Sequence, residues 1–515
     1  MSTAQLPIGA GYLAQDVPAE DVLTPEDLGE EQRMMIHAIK DFAVKDVMPV
    51  AAEIEKRNIN VIRPLFKKAA ELGIFMAEVP EEYGGLGLSV LSIAGMNESR
   101  SALGPLASTV FAHQGIGTLP LINFGTKPQI DKYLDRCMSG EIMASFALTE
   151  PSSGSDAMNI RTTAVLNETG THYYVNGSKQ FITNAGWADL FILFAKINGT
   201  AFTAFLLERK TPGLTVGENE KLLGLHGSSV CGLTLNDVQI PVENVLGEVG
   251  MGHKVALCTL NLGRMKMAAN CAGSAKKALE VAALYAAERE QFGTPLANFG
   301  MIQAKLAEMA ARIYAAESVA YRTAGLVYTA LEALGEEERK TIDAKLKTLA
   351  EFSVECALAK VFGAETYNRI ADEALQIHGG YGFSEEYPAA KMYRDARITR
   401  IYEGTSEICR LSAAKTILRK ISSLDTPLAA ALETAASMDE APEKSDTADG
   451  LDAVRGHIGR LKQMYRRLLR LVVEHFGPEQ LLDNENQQYL SSLSDIAMEI
   501  YAAESSVLRV LKLQR

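Results

Sequence analysis

Three regimes of hydrophobic spacing divide the chain. From Glu30 to about Gly140 the apolar positions recur at helical intervals, as in Met35, Ile39 and Phe42. A further helix is predicted from Pro64 to Leu72, closed by Gly73, and the loop from Val79 to Gly87 interrupts the region. Between about Ile142 and Gly247 the period shortens to β-rich runs: Tyr173-Tyr174-Val175, Leu190 to Phe194, Phe202 to Leu207 and Leu233 to Ile240. Asn176-Gly177 directly after the first run reads as a hairpin turn. Short strands at this spacing predict a small antiparallel barrel or sandwich. From Lys254 the helical period returns in long pieces, Lys254 to Glu288, Phe299 to Leu334, Thr341 to Leu375 and Ser406 to Lys420. Ile302, Leu306, Met309 and Ile313 follow the spacing of a buried stripe, and four such helices predict an antiparallel bundle.

The ends differ. Residues 1–29 read as a loose arm. Residues 421–450 are rich in Ser, Thr, Pro, Asp and Glu and read as a linker with at most a short Ala-rich helix. Two amphipathic helices follow, about Val454 to Phe476 and Gln487 to Leu513. The expected fold is mainly α with a central β domain. It comprises an arm (1–29), an N-terminal helical domain (30–140), a middle β domain (141–248), a C-terminal four-helix-bundle domain (249–420), a linker (421–450) and a helical C-terminal extension (451–515).

Composition narrows the function. A chain of 515 residues suits about three domains. A net charge of −13 excludes nucleic acid as the main partner, since phosphate binding needs a basic face. The six cysteines form no C-x-x-C pair, so neither a metal site nor a disulfide framework is expected. No apolar run reaches the roughly 18 residues that span a bilayer. Met1 to Asp27 resembles neither a signal nor a transit peptide, and the expected location is cytoplasmic.

Five stretches carry candidate chemistry. Ile401-Tyr402-Glu403-Gly404-Thr405-Ser406-Glu407-Ile408 offers a carboxylate before a flexible glycine and a hydroxyl pair that opens a helix. Helix starts expose unpaired N–H groups and partial positive charge, so Glu403 is either a base or a favourable helix-terminal charge. Phe146 to Asp156, with Thr149, Ser152, Ser153, Gly154 and Ser155, presents N–H groups and hydroxyls suited to a polar ring edge or to phosphates, or else is a Ser/Gly turn. In Lys179 to Asn184, Phe181 could stack on a flat cofactor while Thr183 bonds to it, although core aromatics on strands are common. Gln376 to Phe383 contains Gly379-Gly380, which permit close approach to a pyrophosphate or simply end a helix; it is neither a P-loop nor a Rossmann fingerprint. Arg289 to Gly293 ends the first bundle helix with an Arg that suits phosphate or the helix C-terminus.

Together these segments resemble the flavin-dependent acyl-CoA dehydrogenases over about Glu30 to Lys420. The order helical, β, helical agrees, as do the Ala147 to Asp156 loop, Gln376 to Phe383 followed by Glu386, Lys391 and Asp395, and Tyr402-Glu403-Gly404-Thr405. Thr149 to Asp156, Leu260 to Arg264 and the C-terminal extension are most similar to the very-long-chain subgroup. The extension is shorter than is usual there, Asn159 replaces a small residue, and Phe181 stands where many members have Trp.

The resemblance implies an FAD enzyme that converts medium- to long-chain fatty acyl-CoA to trans-2-enoyl-CoA, the first step of β-oxidation. Glu403 would be its base, with hydride passing to flavin N5. Some members carry the base on the first bundle helix, at the position held here by Gly263, which would instead give room to an acyl chain. Phe146, Leu148, Thr149, Gly154 and Ser155 would line the flavin and the neighbouring CoA site, and Phe181 and Thr183 would flank the ring. Arg289, Phe292 and Gln303 would meet the pyrophosphate and adenine side. Gln376, Gly379 and Gly380 would reach the FAD of a partner subunit, and Thr405 and Glu407 would also touch the cofactor. Ser155, Asn261, Gly263, Arg264 and Gly404 would serve the substrate, with Arg264 facing CoA, bracing the base loop or forming a structural ion pair. The implied partners are acyl-CoA, an electron-transfer flavoprotein as acceptor, and a second copy in a dimer, or a tetramer.

The helix Val454 to Phe476 carries Arg455, Arg460, Lys462, Arg466, Arg467 and Arg470 beside Ile458, Leu461, Leu468 and Leu469. Such a helix suits peripheral contact with an anionic membrane, or packing against the body of the protein. Two other readings of the chain remain, an acyl-CoA oxidase and a non-enzymatic assembly factor on the same fold.

Overall fold

Residues 7–423, 426–435 and 450–515 are described by the computed structural model. They divide into two units, Glu31–Gly263, and Met1–Glu30 together with Arg264–Arg515.

The first unit begins with helices α1 (Glu30–Phe42), α2 (Ile59–Glu71), α3 (Val90–Arg100) and α4 (Lys127–Met138). Ile39 and Phe42 of α1 and Ile62, Leu65 and Phe66 of α2 meet Phe75, Leu103 and Leu106 in one buried cluster. The α2 helix starts five residues before the predicted Pro64, because the Asn58 side chain accepts from Asn60 N at 3.2 Å and caps it earlier. Thr126 and Gln129 form a capping box on α4, and Gln129 Nε2 also donates to Glu243 O and Val245 O at 2.7 and 2.8 Å.

Strands β1 (Ala144–Ala147), β2 (Thr163–Leu166), β3 (His172–Thr183), β4 (Leu190–Ile197), β5 (Ala201–Glu208), β6 (Leu214–Asn219), β7 (Val230–Pro241) and β8 (Val245–Leu246) form an 8-stranded sheet. Its order is β6-β7-β3-β2-β4-β5-β8, with β1 added on β4. The sheet is not purely antiparallel: β1 and β2 both run parallel to β4. Strands β4 and β5 are buried on both faces. Phe191, Leu193, Phe205 and Leu207 join Val175, Leu233 and Val238, whereas Ile192, Phe194, Phe202 and Leu206 join Tyr133 and Leu134 of α4. Their sequences are accordingly nearly continuous apolar runs, interrupted inside the strands by Lys196 and Thr203, rather than alternating ones. Each fully buried Phe or Leu here contributes about 1.5–3 kcal/mol.

The hairpin expected at Asn176-Gly177 does not occur there. Both residues lie inside β3, at a shift of register against β7. Asn176 exchanges hydrogen bonds of 2.8 Å with the Asp237 side chain and N–H. A Cβ on Gly177 would sit 2.5 Å from Thr162 Oγ1, so this glycine answers a close approach and a bulge, not a turn.

Helices α5 (Gly252–Glu288), α6 (Gly300–Glu332), α7 (Ser353–His378), α8 (Pro388–Ile398), α9 (Ser406–Ser422), α10 (Leu451–Gln480) and α11 (Gln487–Leu513) follow. The chain passes from one unit to the other within α5. In the second unit α7 packs on α6 and α9, and α11 packs on the same two helices. A Cβ on Gly363 of α7 would meet Ala268 O of α5 at 3.1 Å, so glycine permits that close crossing. The helix predicted over Thr341 to Leu375 is two pieces, Ile342–Glu351 and α7, broken where Phe352 turns inward and is buried. Helix α8 was not anticipated.

The expected linker falls largely on 424–425 and 436–449, outside the described residues; between them Pro427–Ala435 is helical. The arm is not loose from residue 7 onward. Tyr12 packs 4.7 Å from the Tyr501 ring and donates to Ala497 O at 3.1 Å. Arg466 and Lys462 of α10 donate to Leu13 O and Gln15 O at 2.9 and 3.0 Å. Arg509 and Lys512 of α11 pair with Glu26 and Asp27. Ala19, Val22 and Leu508 share a small core.

Candidate active site

The base candidate sits on a loop with an unusual backbone. Glu403 has φ +57° and Gly404 φ +90°, two consecutive residues in the left-handed half of backbone space. Thr405 then caps α9, accepting from Ile408 N at 3.1 Å, and Glu407 lies in the first helical turn. The hydroxyl that opens the helix therefore holds the loop's far end.

Two cations hold the carbonyls of the loop. Arg264 Nε on α5 donates to Glu403 O at 3.2 Å, and Lys360 Nζ on α7 donates to Gly404 O at 2.6 Å. Lys360 is fully buried and Arg264 nearly so. Glu403 is half-buried, but its Oε2 is shut from solvent and has no hydrogen-bond partner among the described residues. Burial pushes the Glu403 carboxyl up to about 7, against Arg264, Lys360 and Lys266, which pull it down. A carboxyl in that range, with an unsatisfied oxygen, is equipped to take a proton near neutral pH. Lys360 was missed from sequence. Its signal is a lone cation in the apolar run Ala357-Leu358-Ala359-Lys360-Val361-Phe362.

A second group lies on the sheet. β1 and the loop after it run beside β3: Ser145 Oγ donates to Thr183 O, and Gln180 N donates to Thr149 O at 2.9 Å. A buried ion pair, Lys179 Nζ to Glu150 Oε1 at 2.7 Å, locks the two together. Lys179 also donates to Leu148 O at 3.2 Å, and Glu150 accepts from Arg161 N and Thr162 N. Burial lowers the Lys179 ammonium to about 8, while Lys179 and the surrounding donors hold Glu150 ionised. Phe146, Leu148, Thr149 and Phe181 are thereby gathered on adjoining segments. Phe181 stands at φ +58° on a second bulge of β3 and is 58% exposed, while Gly154 and Ser155 are exposed. Lys179 and Glu150 had no assigned role from sequence, because nothing local pairs residues 29 apart. Asn261 and Gly263 belong to this unit, on α5.

The third group is at one end of the helical unit. The Arg289 guanidinium lies 5.4 Å from the Tyr381 ring centre, and Tyr285 stacks on His378, bringing the end of α5 to the turn after α7. Gly379 has φ +59°, and a Cβ on Gly379 or Gly380 would meet nothing within 4 Å, which leaves that backbone open to a ligand. Phe292 is 96% exposed at φ +53°, beside Phe299 at 6.2 Å. Gln303 folds onto Ala297 O at 3.0 Å, and Gln376 is exposed. Outward aromatic rings, open glycines and an arginine fit a flat, phosphate-bearing cofactor such as FAD.

Comparison with known proteins identifies the family. Residues 29–141, 145–238 and 250–418 match the N-terminal, middle and C-terminal domains of acyl-CoA dehydrogenases. A probable acyl-CoA dehydrogenase of Bacillus subtilis is 43% identical over 509 residues, covering 98% of this chain and 84% of the relative. The human mitochondrial very long-chain specific acyl-CoA dehydrogenase is 42% identical over 359 residues, 67% of this chain and 51% of that protein, so the match spans about half of that relative. The crystal structure of a Bacillus anthracis acyl-CoA dehydrogenase complexed with FAD superposes with a TM-score of 0.94 at 43% identity, covering 98% of this chain and 86% of that one. The chain belongs to the acyl-CoA dehydrogenase family, an FAD-dependent class of enzyme.

Proposed function

We propose that this protein dehydrogenates medium- to long-chain fatty acyl-CoA to the trans-2-enoyl-CoA, as the first step of β-oxidation, with Glu403 as the base. The carrying observation is the Glu403 carboxyl, raised to about 7 with an unpartnered Oε2. FAD, when bound, supplies the hydride acceptor at N5. Glu403 takes the α-proton, and its backbone N–H helps to polarise the thioester carbonyl. Exclusion of water by the acyl chain strengthens the base further. Phe146, Leu148, Thr149, Ser155, Phe181 and Thr183 would hold the flavin ring, and Arg289, Phe292 and Gln303 its phosphate and adenine side. Thr405 and Glu407 would add cofactor contacts, and Ser155, Asn261, Gly263, Arg264 and Gly404 would serve the substrate.

A dimer fits this reading. Phe292, Met301 and Phe383 are large apolar residues at least 80% exposed in the helical unit, and a second copy would cover them while sharing its cofactor site. An electron-transfer flavoprotein is the proposed acceptor. The exposed Leu461, Met464, Leu468 and Leu471 of α10 support peripheral membrane contact, although Lys462 and Arg466 face the arm instead.

The test is anaerobic bleaching of the flavin across C4, C8, C12 and C16 acyl-CoAs. Bleaching is expected to be fastest at C12–C16, and Glu403→Gln is expected to keep FAD but lose turnover by several orders of magnitude. A clear C4 optimum would remove the chain-length reading, and an active Glu403→Gln would place the base elsewhere. Peroxide formed in step with turnover in air would mark an oxidase. No bleaching with any acyl-CoA would favour an assembly factor.

A further inference from the structure

We infer that Lys360 is a positioning residue for the base loop: its ammonium, buried inside the helical unit, holds the Gly404 carbonyl and, with Arg264 on the Glu403 carbonyl, fixes the two left-handed residues that aim the Glu403 carboxyl. The inference rests on Glu403 being the base.

Three observations carry it. First, Lys360 is 0% exposed and forms no ion pair among the described residues. Its one hydrogen bond is to the backbone of the loop, at 2.6 Å. An ammonium buried against a single carbonyl is costly, and an apolar side chain of similar length would serve stability better. Second, the loop is left-handed at Glu403, where a side chain raises the energy of that backbone. Such a conformation persists only when its surroundings hold it, and the two carbonyls flanking the Glu403–Gly404 junction are each held by a cation. Third, Lys360 faces the base electrostatically as well as through the backbone. The groups around Glu403 are Arg264 and Lys266 of α5, Lys360 of α7 and Tyr402 of its own loop. Around Lys360 stand Cys271 of α5, Cys409 of α9, Glu403 and Arg264. Cys409 Sγ also approaches Gly404 O at 3.6 Å, so the carbonyl is enclosed by α7 and α9 together.

Lys360 thus has two separable effects. Its hydrogen bond orients the loop, and its charge favours the ionised base. Lys360→Met removes both, whereas Lys360→Gln removes the charge and keeps an N–H donor at this position, one bond shorter than the lysine.

Both variants, wild type and Glu403→Gln are prepared as FAD-loaded protein. The Glu403 carboxyl is titrated by infrared difference spectroscopy, its band identified by loss in Glu403→Gln. The expected result is a midpoint about tenfold lower in proton concentration for both variants, from loss of a nearby positive charge. At a pH above that midpoint, kcat is expected to fall on the order of 100-fold in Lys360→Met and to stay close to wild type in Lys360→Gln. A Lys360→Met protein with wild-type kcat and a wild-type carboxyl midpoint would overturn the inference, as would equal kcat losses in the two variants with an unmoved midpoint. If wild type itself bleaches with no acyl-CoA, the dehydrogenase reading fails, while the infrared midpoints still decide whether Lys360 acts on Glu403.

Discussion

Phe181, Phe292 and Glu403, each singled out from sequence for chemistry, all stand in left-handed backbone, at φ +58°, +53° and +57°. A bulky residue there costs on the order of 1–2 kcal/mol, so local strain falls on the candidate machinery. Buried acids behave in a related way. Glu355 of α7 is 1% exposed; its Oε1 accepts from Ala10 N at 2.6 Å, and its Oε2 has no partner among the described residues. Burial pushes it up to about 7, against Lys420 and Arg322, with Tyr12, Tyr501 and Cys356 also facing it. An unfolded Glu titrates near about 4.3. The folded state therefore favours the protonated form, and stability present below about pH 4 is lost as pH rises through 7, by roughly 3 kcal/mol. Glu355→Gln keeps the acceptor for Ala10 and cannot ionise. It is expected to melt above wild type at pH 8.5 and close to it at pH 4; an offset that does not change with pH would contradict this.

At the scale of elements, the Lys179–Glu150 pair decides whether the loop after β1 stays on β3. Removing one partner of a buried pair leaves an uncompensated charge and costs about 3–5 kcal/mol. Lys179→Met is expected to lower unfolding free energy by that order and to weaken FAD binding, since Phe146, Thr149 and Phe181 lose their common support. Denaturant unfolding and FAD titration measure the two effects. FAD affinity equal to wild type would show that the pair holds the fold and not the site. Elements also mark the limits of periodicity. It found α5, α6, α9 and α11 to within a few residues, because their apolar stripes are long. It ran through Phe352, since a single buried aromatic fits a helical stripe whether or not the helix continues. It misread Asn176-Gly177, since a bulge and a turn both call for a glycine and a small polar residue.

At the scale of the molecule, the two ends of the chain belong to one unit. The arm gives its carbonyls to Lys462, Arg466 and Lys512, and its acids Glu20, Glu26 and Asp27 to Arg515, Arg509 and Lys512. The α10 helix is basic on its inner side for this reason. Deleting residues 1–28 strips these partners from buried Lys462 and Arg509 and uncovers Tyr501 and Leu508. The expected result is a melting temperature lower by roughly 5–10 °C, with increased binding of a hydrophobic dye. Unchanged melting would mean that α10 and α11 are held by the bundle alone.

The order of helical and β regions, the bundle stripes and the spacing of the Glu403, Gly379-Gly380 and Thr149 stretches were legible in the chain itself, because periodicity and short motifs are written in neighbouring residues. They sufficed to reach the family. The tertiary structure decided what buried polar groups bind: Lys360 on Gly404, 44 residues away, Lys179 on Glu150, and Lys462 on Gln15, 447 residues away. It also decided that Glu403 loses water on one oxygen and gains three cations around it. Desolvation depends on what covers a group, and the covering residues come from distant parts of the chain, where no local pattern records them.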